Sequence, residues 1–132
     1  MSDENQAAAA ESAPQGPQLA LQKMYTKDVS FESPRGHEAF KGTWKPEVNL
    51  DLQMGNKAID DSNVEVTLSV TVTVKNEGET AFLVEVHQSG IFLATGFEGE
   101  QRRQVLSTIC PNMLYPYARE AVDSLAVKGG FP

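Results

Sequence analysis

The sequence holds one cysteine, Cys110, and two histidines, His37 and His87, among its 132 residues. A single thiol cannot close an internal disulfide, so the chain is expected in a reducing compartment. With so few Cys and His residues, no set has the spacing of a zinc site. Apolar runs are short, and none approaches the roughly 20 consecutive residues a membrane helix needs, so no membrane insertion is expected. Neither the basic start nor the apolar core of a secretory leader is present. Basic residues are scarce: 11 Lys and Arg face 18 Asp and Glu, a net charge of −7. A chain with that balance repels a phosphate backbone, which argues against nucleic acid as a partner.

Catalytic patterns are missing too. No phosphate loop, dinucleotide fingerprint or nucleophile elbow occurs. Asp60-Asp61 has no Gly-spaced oxygen-ligand loop around it, which excludes a calcium loop. Glu85 and His87 share one face of an expected strand and form an imaginable acid–base pair, but a solvated strand face accounts for them as well. Cys110 lies in an apolar helical row with no positive neighbour, as a structural thiol does. The expectation is a protein that is not an enzyme and uses no metal or cofactor.

What the chain does have is alternation. Residues 1–18 carry Asp3, Glu4 and Glu11 with no Lys or Arg, an alanine run and two prolines. They are expected to be a disordered acidic tail ahead of one domain over 19–132. From Leu19 the pattern takes period two. Leu19, Leu21, Tyr25, Val29 and Phe31 share one face, broken by Lys23 and Lys27, while Gln22, Thr26, Asp28, Ser30 and Glu32 share the other. Val48, Leu50 and Leu52 alternate in a second strand, followed by a polar turn region over 56–63. Val64 to Val74 alternates throughout, and Asn76-Glu77-Gly78-Glu79 is a hairpin turn into a strand over about 80–92. Between the first two strands, Phe40 and Trp44 lie in a loop and join Tyr25, Val48, Leu50 and Leu52 in a hydrophobic set that suits either a groove or the covering of a core edge.

From about Glu100 to Val127 the apolar spacing becomes helical. One row is Leu106, Ile109, Met113, Tyr117, Ala121 and Leu125; a second is Val105, Cys110, Leu114, Ala118 and Val122. Pro111 and Pro116 should kink or interrupt the helix. The class is therefore α+β: a four-stranded antiparallel sheet with a long, Pro-interrupted helix on one face. The apolar surface of that helix is wide, and Ala118 and Ala121 are small enough for close helix–helix approach, so a subunit interface and ordinary core packing both stay open.

Four segments together carry a resemblance: Tyr25 to Pro34, Trp44 to Leu52, Glu79 to Phe82 with Gly90 to Phe92, and Cys110 to Glu120. In this order they resemble the bacterial SecB protein-export chaperones, from about Leu19 to Pro132. The resemblance implies a homotetramer, a dimer of dimers, that holds unfolded preproteins in the cytosol and delivers them to the SecA motor for export. It implies SecA contact at Asp28, Glu32, Leu83 and Glu85. It implies a client groove at Tyr25, Trp44, Val48, Leu50 and Leu52, and an assembly role for Val84, Val86 and Gln88. Members of that family continue past the equivalent of Phe131-Pro132 with a second helix and an acidic tail, so a truncated chain is expected. Two rival readings stay open. One is a chaperone dedicated to a single partner such as an antitoxin; the other is a small α+β enzyme or lipid-binding domain with an internal pocket.

Overall fold

A computed structural model describes residues 16–132. Most of the tail expected over 1–18 lies outside the described residues, but Gln18 already belongs to the first strand. The strands are β1 (Gln18–Glu32), β2 (Pro46–Ala58), β3 (Asn63–Asn76) and β4 (Glu79–Thr95), with a short 3₁₀ turn at Gly36–Phe40. They form one antiparallel sheet in the order β1-β4-β3-β2, which leaves β1 and β2 as edges. The helical region is α1 (Gly99–Gln104), a π-helical turn at Val105–Ile109 and α2 (Cys110–Lys128).

The alternation in β3 makes the sheet two-faced. Val64, Val66, Leu68, Val70, Val72 and Val74 point to an inner face and are buried, as are Val84, Val86 and Phe92 of β4. Leu106, Cys110, Leu114, Ala118 and Ala126 close over them from the helical side. Leu114 can settle so deeply because Gly90 lies beneath it: a Cβ there would stand 3.1 Å from Leu114 and 2.9 Å from the Phe92 ring. The β3–β4 hairpin turns on two residues, Glu77 (φ 56°) and Gly78 (φ 80°). Positive φ at both positions is the turn geometry that matches the twist of paired strands. The β2–β3 turn is tighter than the polar run over 56–63 suggests. β2 continues to Ala58, and Asp60 Oδ1 accepts the backbone N–H groups of Ser62 and Asn63, each at 2.8 Å, so one carboxylate organises the corner. These bonds hold the Asp60 carboxyl below its ordinary value, the Asn63 side chain contributing most.

β1 departs from simple alternation. Its register against β4 shifts between Leu21 and Lys23 and again between Thr26 and Asp28. Each extra residue, Gln22 and then Lys27, reverses which side chains face the helix, because side-chain direction has period two. Leu19 and Leu21 face inward, then Met24 and Thr26, then Val29 and Phe31. Tyr25 is thereby moved off the face of Leu19 and Phe31, and Thr26 is moved onto it, donating from Oγ1 to Gln88 Oε1 at 3.0 Å.

The prolines do not stop the helix. Pro111 lies in the first turn of α2, directly after the π-helical turn, whose wider spacing gives its ring room where an ordinary turn would clash. Ser107, inside that turn, donates its hydroxyl to the Arg103 carbonyl at 2.6 Å. Pro116 lies inside α2 and removes one donor without ending the helix.

Candidate functional site

Two surfaces result, one on each face of the sheet. On the inner face, α2 packs on β4 and β3, while β2 is met mainly by the π-helical turn. The apolar residues of β2 are consequently left open. Val48, Leu50, Leu52 and Met54 are 65%, 49%, 43% and 56% exposed, although their register partners Val74, Val72, Val70 and Leu68 are all buried. The result is an apolar ledge beside a helix. At one end a cavity of about 250 Å³ lies between Leu52 and Met54 on the strand and Pro111 and Tyr115 on the helix. At the other end a cavity of about 260 Å³ is lined by Phe40, Trp44, Asn76 and Phe131.

That second end is aromatic. The Phe131 ring is 4.5 Å from Phe82, 5.1 Å from Phe40 and 5.7 Å from Trp44, and Phe82 is 5.9 Å from Phe31. Such centroid distances suit offset or tilted aromatic packing. Phe131 is buried at the centre, whereas Phe40 remains largely exposed.

The outer face is polar. β1 and β4 place Asp28 opposite His87, Ser30 opposite Glu85 and Glu32 opposite Leu83. Asp28, Glu32, Leu83 and Glu85 thus lie near one another on this face. Among the described residues, neither Asp28 nor Glu32 has an ion-pair partner. His87 sits within the patch, Nε2 3.2 Å from Glu85 Oε1 and Nδ1 2.7 Å from Ser69 Oγ. This Ser–His–Glu chain has the connectivity of a hydrolase triad. It lies on an open pleated surface of two interior strands, whose N–H groups serve the ladders on both sides, so no oxyanion donors converge on Ser69.

Elsewhere on this face, Glu65 accepts the Tyr25 hydroxyl and lies 2.9 Å from Lys27 Nζ. The Tyr25 bond, and then Lys27, hold the Glu65 carboxyl below its ordinary value; the same bond and partial burial raise the Tyr25 hydroxyl above its own. Cys110 is fully buried, and desolvation pushes its thiol up to about 11, which leaves it protonated and inert at neutral pH.

Three sequence expectations are corrected by this geometry. Tyr25 lies on the outer face and cannot line a groove with Trp44, Val48, Leu50 and Leu52, because the bulge at Gln22 reverses the strand. Val84, Val86 and Gln88 point inward from an interior strand and are buried beneath the helix, so they offer no surface to a second subunit. Ala118 is likewise fully buried against its own sheet and Ala121 is half-buried, since their side of α2 packs on the core. The exposed side is that of Ile109, Met113 and Tyr117.

Sequence reasoning also missed two residues of this site, one on the ledge and one in the aromatic cavity. Met54 continues the alternation of β2 by one step and was legible, had the strand been carried past Leu52. Asn76 looked like a turn residue; nothing local announced that its side chain is buried at the aromatic end.

Among the described residues, no group of three or more His, Cys, Asp or Glu side chains is gathered to hold a metal ion, and no helix is long and apolar enough to cross a membrane.

Comparison with known proteins agrees with this architecture. The family described as preprotein translocase subunit SecB matches residues 12–132. The protein-export protein SecB of Saccharophagus degradans is 54% identical over 129 residues, covering 96% of this chain and 76% of that protein. That of Hahella chejuensis is 50% identical over 120 residues, covering 91% and 76%. Among solved structures, a SecB-like chaperone of Mycobacterium tuberculosis, in complex with a ChAD peptide from an antitoxin, has a TM-score of 0.68. At 16% identity over 87% of this chain and 86% of that one, this is a likeness of fold.

Proposed function

The chain belongs to the SecB family of protein-export chaperones, and we propose that the two faces of its sheet divide that family's work. The protein is a chaperone of export and not an enzyme. The inner ledge of Val48, Leu50, Leu52 and Met54, with Trp44 and Phe40 at its aromatic end, receives apolar segments of unfolded preproteins. The outer patch of Asp28, Glu32, Leu83 and Glu85 contacts SecA, so a client and the motor are held at once without competing for surface.

The observation that carries the reading is the uncovered row on β2. A holdase has to accept many sequences, so its affinity comes from non-directional apolar burial. At roughly 25 cal/mol per Å² of apolar area, a few client side chains laid on the ledge contribute several kcal/mol. No directional chemistry is needed, and the ledge offers little.

Assembly as a dimer of dimers, in the cytosol, is part of the same proposal. The exposed side of the helical segment, Ile109 in the π-helical turn with Met113 and Tyr117 in α2, is the apolar surface a second helix would cover, and the open edge of β1 is a second surface for pairing. Repeating the ledge over several subunits adds avidity toward a long client. The test combines mass by sedimentation with suppression of aggregation of a refolding protein. A tetramer that suppresses aggregation is expected; a monomer indifferent to unfolded protein would overturn the reading.

A further inference from the structure

We propose that Asn76 is a positioning residue for client capture, acting through Trp44. The side chain of Asn76 is 2% exposed, and its amide is used on both ends. Oδ1 accepts the backbone N–H of Lys45 at 2.8 Å, and Nδ2 donates to the carbonyl of Thr43 at 3.1 Å. Those two backbone groups flank Trp44, so one amide clamps the loop on either side of the indole.

The register explains why a side chain is needed here. Asn76 ends β3, and its partner in β2 is Pro46, which has no N–H to donate. The preceding N–H, that of Lys45, goes to the Asn76 side chain, which extends the strand pairing where the backbone cannot. The same loop is also close to the hairpin tip through Gly42, which adopts φ 80° and whose Cβ position lies 3.6 Å from Glu77 Oε1. Asn76 thus holds the loop to the end of β3, and at Gly42 the loop passes close to the β3–β4 turn.

The consequence is a fixed backbone on both sides of the indole. Trp44 sits 5.7 Å from Phe131 at the mouth of the aromatic cavity, and Asn76 lines that cavity directly. A Trp on an untethered loop would lose conformational freedom each time a client bound; a clamped one has lost it already. This inference rests on the reading of the ledge as the client groove.

The experiment exploits Trp44 being the protein's one tryptophan. Asn76→Ala removes both bonds. Asn76→Ser leaves a small neutral hydroxyl that can reach at most one of the two backbone partners, so it covers the case in which the alanine variant does not fold. Indole emission is measured without client, and affinity is measured for a reduced, carboxymethylated polypeptide that cannot refold. Emission is expected to move to longer wavelength and affinity to fall about three- to tenfold, up to ~1.4 kcal/mol. In a Trp44→Ala background, Asn76→Ala should add almost nothing, since the two act as a unit. Unchanged emission and affinity in the soluble variants overturn the proposal, as does a full additional loss in the Trp44→Ala background. If Trp44→Ala alone leaves affinity intact, the groove reading itself falls, and the emission shift then shows separately whether Asn76 holds the loop.

Discussion

The hydroxyl of Tyr25 on β1 donates to the carboxylate of Glu65 on β3, passing over β4 between them. One contact thus staples three strands on the outer face, and it exists only because β1 is bulged. Replacing Tyr25 by Phe is expected to cost about 1 kcal/mol of stability, in the range of a part-exposed hydrogen bond to a charged group. Client affinity should stay at the wild-type level. Chemical denaturation and a client titration on the same variant check both halves, and a loss of client affinity would return Tyr25 to the groove.

The same pair makes stability depend on pH at both extremes. The folded value of Glu65 lies below its ordinary 4.5, so the stability it supplies is complete above 4.5 and lost as pH falls through the folded value. Tyr25 is raised above its ordinary 10.0, so its share is complete below 10.0 and lost as pH rises through the folded value. The destabilisation caused by Glu65→Gln, measured in urea, should therefore be largest near neutrality and shrink toward pH 3. A difference constant over that range would show that the pair does not control the transition.

On the ledge, Trp44→Ala combined with Leu50→Ser should lower capture of an unfolded client about tenfold, the effect of ~1.4 kcal/mol. Leu50 is exposed, but Trp44 packs partly on the core beside Phe131, so the pair should also lower stability, and capture is compared where the variant is folded. Light scattering of an aggregating client reads the outcome. Suppression at the wild-type level would place the groove elsewhere.

On the opposite face, Asp28→Lys with Glu32→Lys is expected to weaken SecA binding severalfold and make the remainder less salt-dependent, while client capture persists. Neither carboxylate has an ion pair within the described residues, so the reversal breaks no salt bridge. Unchanged SecA affinity would reject the patch.

Ala118 and Tyr117 are adjacent in sequence and opposite in consequence. Ala118→Leu forces extra volume beneath the helix and should cost about 1–3 kcal/mol of stability. Tyr117→Asp alters an exposed side chain and should instead reduce the assembled mass seen by sedimentation. The reverse pattern would mean that Ala118, not Tyr117, faces a neighbour.

Much of this protein is determined by the sequence alone. The strict alternation from Val64 to Val74 dictates a two-faced strand, Glu77-Gly78 a two-residue hairpin, and the helical spacing after Glu100 a helix on one face. These signals are local, because side-chain periodicity is a property of consecutive residues. The identity of the polar patch was also legible, since Asp28 and Glu32 stand on the polar side of β1 whether or not two bulges intervene: the second cancels the first. Between the bulges that protection is lost, and Tyr25 changed face. Lys23 and Lys27, which interrupted the apolar alternation, were the sequence's trace of those bulges, yet where an extra residue is accommodated depends on pairing with β4. Only the tertiary structure decided which side of α2 is buried, because two apolar rows competed and the sheet chose Cys110, Leu114 and Ala118. Coverage was decided there too. Val48, Leu50, Leu52 and Met54 carry the same alternation as a core strand, and they form a ledge because the helix lies over β3 and β4 and stops short of the edge.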